Sequence, residues 1–227
     1  MGFFFIDGVF FWEKMVAMIF RDRCDAGKQL GIKLADLKGS DAVVVGLVRG
    51  GVAVAAEVAK ALELPLDILI VKKIGAPENE ELALGAVSEE GGGVFNDHLI
   101  SMLGVSKEYL RKEIEQKKEQ VKEARKGYFN GHDSIELTGK TVVLVDDGIA
   151  TGASMKVAIQ VAKEQGATKV ILAVPVAAPE SLKQISGEVD EVVCLHSPSV
   201  FYAVGAFYKQ FPQVTDGDVA AFLAGGK

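Results

Sequence analysis

At 227 residues, with 49% apolar and 25% charged side chains, the chain has the composition of an ordinary globular protein and room for one α/β domain with an elaboration. A net charge of −6 argues against a broad electrostatic nucleic-acid surface, and no apolar run is long enough to span a bilayer. Cys24 and Cys194 form neither a metal-ligand spacing nor a disulfide framework, which makes reduced thiols in a cytoplasmic protein the expectation, and His98, His132 and His196 sit in no ligand pattern.

Met1 to Ala17 is crowded with Phe3, Phe4, Phe5, Phe10, Phe11 and Trp12, interrupted by Asp7 and Glu13. No basic region precedes it, so it does not read as a signal peptide, and residues 1–17 are taken as an atypical extension before a domain over 18–227. Asp22 to Leu37 places Cys24, Leu30, Leu34 and Leu37 at helical spacing and stops at Gly39-Ser40. Ala42 to Val48 reads as a buried strand, followed at once by Arg49-Gly50-Gly51 and a helical pattern over Val52 to Leu62. Strand, basic residue, two glycines and helix is an anion-binding arrangement: glycines let the backbone approach an anion and arginine adds a charged fork. A tight turn with a solvated arginine is the simpler alternative. No Gly-x-Gly-x-x-Gly follows this strand, which argues against a dinucleotide-binding domain.

Leu66 to Val71 reads as the second strand. After Lys72-Lys73, the glycine, proline and acidic residues of Ile74 to Glu81 predict a long mobile connection, with Leu82 to Val87 a strand on the way back. Gly91-Gly92-Gly93 predicts a hinge, and Val94-Phe95-Asn96 continues the sheet or an edge. Ser106 to Lys126, within a charged helical insertion over about 104–127, predicts one helix with a sparse apolar stripe of Tyr109, Leu110, Ile114 and Val121. Its alternating Glu and Lys read as a solvated face.

Val142 to Val145 is a short apolar run, rich in β-branched residues, of the kind buried on both faces of a sheet. Asp146 and Asp147 stand at its carboxyl end, where open α/β sheets hold ligands. Gly148 and the small-residue turn Ala150-Thr151-Gly152-Ala153-Ser154 lead into a helix, and such a turn aims backbone N–H groups at one spot. Two carboxylates beside a phosphate cradle suit a ligand with vicinal hydroxyls and a phosphate, such as a ribose 5-phosphate. Further on, Met155 to Gln165 reads as a helix ended by Gly166, Lys169 to Val174 as a strand, and Pro179 to Ile185 as a helix. Glu191 to Leu195 reads as the last core strand and Asp216 to Leu223 as a closing helix.

Four apolar residues, two acids, two variable positions and Ala-Thr-Gly-Ala-Ser resemble the phosphoribosyl pyrophosphate (PRPP) motif of type I phosphoribosyltransferases. The likeness runs from about Phe20 to Leu223. It implies an α/β Rossmann-like core, a mostly parallel sheet flanked by helices, with a flexible active-site loop and a small hood from about 18–38 and 196–215. It also implies transfer of the phosphoribosyl group from PRPP to a nitrogenous base with release of pyrophosphate, as in nucleotide salvage, with Mg²⁺ as cofactor and a homodimer as the assembly.

By the same resemblance, Asp146 and Asp147 would hold the ribose hydroxyls, directly or through Mg²⁺-bound water. Ala150, Thr151, Gly152, Ala153 and Ser154 would hold the 5-phosphate. Arg49, Gly50, Gly51, Lys72 and Lys73 would bind pyrophosphate, Lys73 with a catalytic part, since alternation at a strand end should turn one of the two lysines inward. Phe201 and Tyr202, with Phe207 and Tyr208 nearby, could wall a flat base or could form a hydrophobic cap. Hypoxanthine–guanine enzymes carry an aspartate before Thr-Gly where this chain has Ala150, so proton abstraction at that position is not expected here. A regulator that binds PRPP or a nucleotide without turnover is the competing class.

Overall fold

Valine-rich runs free of polar interruption form the centre of the protein, as seen in a computed structural model that describes residues 5–6, 9–10, 20–88, 93–129 and 134–225. The remainder of the aromatic N-terminal stretch and Gly91-Gly92 of the expected hinge lie outside the described residues. Two short strands, β1 (Phe5–Ile6) and β2 (Val9–Phe10), pair antiparallel and precede α1 (Arg23–Lys33). Then come β3 (Val43–Leu47), α2 (Gly50–Leu62), β4 (Leu66–Leu69), β5 (Lys72–Ala76), β6 (Asn79–Val87) and β7 (Gly93–Phe95). The second half carries α3 (Asp97–Met102), α4 (Lys107–Phe129), β8 (Thr141–Val145), α5 (Ala153–Glu164) and β9 (Lys169–Val176), then α6 (Pro179–Ser186), β10 (Glu191–His196) and α7 (Asp216–Gly225).

Five of these strands make an all-parallel sheet in the order β10-β9-β8-β3-β4. Alternation along each strand sends side chains to opposite faces, and both faces are covered. Val43, Val45, Val142, Leu144, Val170 and Leu172 pack under α5 and α6 with Met155, Ile159 and Ile185. Val44, Val143, Val145, Ile171 and Ala173 pack under α1 and α2 with Leu30, Val54 and Val58. This is the expected α/β core. Taken in chain order the strands run 2-1-3-4-5, so the crossovers leave to opposite faces on either side of the β3–β8 boundary. In such sheets ligands sit at the carboxyl ends of the strands at that switch point.

A second, three-stranded antiparallel sheet, β5-β6-β7, corrects the reading of Ile74 to Glu81 as a long irregular connection. β5 and β6 form a hairpin closed at Pro77-Glu78, and Leu66–Val71 ends as a strand at Leu69. Ile74, Ala76, Leu84 and Val87 give the hairpin a buried face, on which Tyr109, Leu110 and Ile114 of α4 lie. Farther down α4 than the charge pattern suggests, Tyr128 joins Val121 against Ile68, Ile70 and Val219 of α7. The helix expected through Leu37 stops at Lys33 and is followed by a single 3-10 turn over Ala35–Leu37. Among the described residues no helix is long and apolar enough to cross a membrane.

The two ends of the described core meet. Phe20 donates its N–H to Phe207 O at 2.8 Å, and Lys209 and Gln210 donate theirs to Phe20 O and Arg21 O, each at 2.9 Å. The start of the domain and residues 207–210 therefore form one layer beside the carboxyl end of β9, with Phe20, Val176, Phe207 and Tyr208 buried together.

Candidate active site

At the switch point, the loops leaving β3 and β8 touch. The β3 loop turns at a cis peptide between Val48 and Arg49, and Arg49 is the residue that precedes α2. A methyl group on Gly50 would collide with the Asp147 carboxylate, and one on Gly51 would lie 2.7 Å from Val145 O and 2.9 Å from Asp146 Oδ1. Both positions need glycine because the anion-binding turn rests directly on the acidic pair. The two groups lie far apart in the sequence; the parallel pairing of β3 with β8 brings them together.

The acidic pair is electrostatically costly. Burial pushes the Asp146 carboxyl well above the usual carboxylate range, and the neighbouring Asp147 charge adds to the rise. Burial also raises Asp147, opposed by the Arg23 guanidinium. The Asp147 N–H donates to Asp146 Oδ1 at 2.8 Å. Arg23 donates through Nε to Asp147 Oδ2 at 2.8 Å and through Nη1 to Pro212 O at 2.7 Å, and its guanidinium carbon lies 3.7 Å from the centre of the Phe211 ring. Sequence reasoning missed Arg23. It is the first residue of a helix behind the cap Asp22, and its partner lies 124 positions away, so no local pattern marks it.

The turn after the pair is held from the far side. Ile149 donates to Val176 O and Ala178 donates to Ile149 O, both at 2.9 Å, which seats the turn on the end of β9. Ser181 of α6 donates to Ala150 O at 2.6 Å. Gly152 then adopts a left-handed conformation, φ 77°, and begins α5 with no side-chain cap. The N–H groups of Ala153 and Ser154 thus stand at an uncapped helix start beside exposed Thr151, a geometry suited to an anion.

The other expected residues are placed less uniformly. Arg49 is half exposed, with Nη1 3.6 Å from Asp216 Oδ1 at the start of α7. Lys72 and Lys73 are both exposed at the beginning of β5, ahead of its packed part, which begins at Ile74. Phe207 and Tyr208 are buried as a cap, and Phe201 stacks on Phe207 with ring centres 5.4 Å apart. Tyr202 is 88% exposed. Tyr208 also reaches the site: its hydroxyl donates to Asp147 O at 2.6 Å, and burial raises its ionisation far above the tyrosine range.

Metal chemistry is constrained by the donor set. Among the described residues no three His, Cys, Asp or Glu side chains converge as a metal cage. Two adjacent, largely buried carboxylates fit a hydrated divalent cation that also binds ligand oxygens, because such a cation offsets the repulsion between them.

Comparison with known proteins agrees with this fold. The family model of the phosphoribosyl transferase domain matches residues 88–211. Two proteins of Mycobacterium tuberculosis, from strains CDC 1551 and H37Rv and both provisionally named phosphoribosyl transferases, are 47% identical to this chain over 207 residues, 90% of it. The chain spans 46% of the length of each, about half. The crystal structure of TT1426 from Thermus thermophilus is 44% identical, covers 91% of this chain and 98% of its own, and superposes with a TM-score of 0.78.

Proposed function

This chain belongs to the phosphoribosyl transferase family, and on that premise we propose that it transfers the 5-phosphoribosyl group of PRPP to a nitrogenous base. The observation that carries the proposal is the contact of Gly50-Gly51 with Asp146-Asp147 at the switch point, with the Thr151–Ser154 turn continuing from the same loop. One side of the acidic pair then suits a diphosphate and the other a monophosphate, the two ends of PRPP.

In this reading a nitrogen of the acceptor forms a bond to C1 of the ribose while the C1–oxygen bond breaks, and pyrophosphate leaves with the electron pair and takes up the proton that the acceptor N–H releases. Asp146 and Asp147 hold the 2- and 3-hydroxyls and offset the positive charge that grows on the ring. The N–H groups of Gly152 to Ser154 fix the 5-phosphate, which sets C1 against the acceptor. Arg49 and the Gly50-Gly51 turn receive the departing pyrophosphate, and Lys72 and Lys73, exposed at the start of the hairpin that follows β4, add positive charge on that side. Phe201 offers a face to a flat base. Mg²⁺, when bound, would be held by Asp146 and Asp147 and would supply charge neutralisation of the leaving group. Ala150 cannot accept a proton, so the acceptor is a base that needs no acid–base group at this position, adenine being one. A homodimer is the assembly we propose for the working protein.

Pyrophosphate release measured with Mg²⁺, PRPP and a panel of bases tests the proposal. Release with at least one base, adenine before hypoxanthine or guanine, is the expected result. Tight PRPP binding with no release for any base would make the protein a PRPP-responsive regulator instead, and rapid turnover of hypoxanthine would overturn the assignment of Ala150.

A further inference from the structure

Arg23 is 8% exposed and engaged on three sides: by Asp147 at 2.8 Å, by Pro212 O at 2.7 Å and by the Phe211 ring at 3.7 Å. Phe211 in turn leans on Tyr208, ring centres 4.9 Å apart, and the Tyr208 hydroxyl holds the backbone oxygen of Asp147 at 2.6 Å. Asp147 is therefore gripped at its side chain and at its main chain by one layer built from both ends of the domain. A guanidinium is a rigid fork, so an arginine fixed by a carbonyl and a ring also fixes the carboxylate it meets. The pair sits against the Cα of Gly50, whose added methyl would lie 3.4 Å from Arg23 Nε.

We propose that Arg23 is a positioning residue: it holds Asp147 by Oδ2 so that the rest of that carboxylate faces the ribose hydroxyls, and it couples that orientation to the 208–212 segment. The inference rests on the PRPP reading of the site and adds a specificity to it. Arg23 acts on the ribose part of the ligand and not on the diphosphate part, because its contact is with the acid assigned to the ribose, while Arg49 and the glycine turn are assigned to the diphosphate. A lysine at this position keeps the charge but lacks the planar fork, so it cannot hold Asp147 and Pro212 O in the same fixed geometry.

The test is calorimetric titration of three probes, PRPP with Mg²⁺, ribose 5-phosphate, and inorganic pyrophosphate without Mg²⁺, into wild type, Arg23→Gln, Arg23→Lys and Phe211→Leu. Circular dichroism establishes that each variant is folded. Arg23→Gln should weaken PRPP and ribose 5-phosphate on the order of tenfold and leave pyrophosphate within about twofold, with Arg23→Lys in between. Phe211→Leu, which keeps the ion pair, should show the same selectivity at smaller size, and it decides the matter if Arg23→Gln does not fold. Equal weakening of all three probes, or of none, would make Arg23 a purely structural ion pair and overturn the proposal. Wild type that binds no PRPP would remove the underlying reading and this inference with it, an outcome visible before any substitution is made.

Discussion

Asp146 and Asp147 are two carboxylates side by side at the carboxyl end of the central strand β8, raised by burial, with one arginine against the second. Such a pair is tolerated when a ligand completes it, because each ionised acid otherwise opposes the other in a site of low dielectric. Glycine at positions 50 and 51 is the other half of that arrangement. Gly50→Ala forces the Asp147 carboxylate to move away from the turn, and PRPP affinity should fall about tenfold or more while the thermal midpoint changes little. Titration of the folded variant checks this; unchanged affinity would mean that the contact between the two loops is incidental. Much at this scale was legible beforehand. The Asp-Asp pair and the Thr-Gly-Ala-Ser turn announce themselves through spacing, since all their members lie on one loop. Arg23 and Tyr208 do not, because each reaches Asp147 across the fold with no local signature.

Among the elements, α4 does more than its composition suggests. Its alternating Glu and Lys do face solvent, yet its first turns cover the β5–β6 hairpin and its last turn reaches α7. Tyr109 donates to Gly75 O at 3.1 Å, and Tyr128 donates to Asp216 Oδ1 at 2.7 Å, the same oxygen that Arg49 approaches. Tyr128→Phe should cost about 1 kcal/mol by urea unfolding near neutral pH. Burial first, then Asp216, pushes the Tyr128 hydroxyl from 10.0 up to about 12. A raised folded value means that the stabilisation is complete below the unfolded value and is lost as pH rises through the folded one. The gap between wild type and Tyr128→Phe should therefore narrow between pH 10.0 and about 12, and a gap constant over that window would contradict the account. The hairpin itself was misread as a loop for a physical reason: Gly75 and Pro77 are turn formers and Glu78, Glu80 and Glu81 are weak strand formers, and only the pairing of Lys72–Ala76 with Asn79–Val87 shows that Gly75, Glu80 and Glu81 lie on strands.

For the whole molecule, the deciding fact is topological. Parallel strands in the order 2-1-3-4-5 leave one crevice where neighbouring loops diverge, and the two candidate anion-binding turns of this chain flank it. The core strands were legible because runs such as Val142–Val145 and Val170–Val174 are short, apolar and rich in β-branched residues, which suits strands buried on both faces. Their order was not, since nothing local in a strand names its neighbour. The resemblance to phosphoribosyltransferases implied a mostly parallel sheet in advance, and the observed pairing agrees with it.

The central claim is that Asp146 to Ser154 is a PRPP site, and its most direct test is titration of PRPP with Mg²⁺ into wild type and Asp147→Asn. The account predicts saturable binding by wild type, weakened about tenfold or more in Asp147→Asn with the fold retained. Absence of binding by wild type, or equal binding by the two proteins, would contradict it.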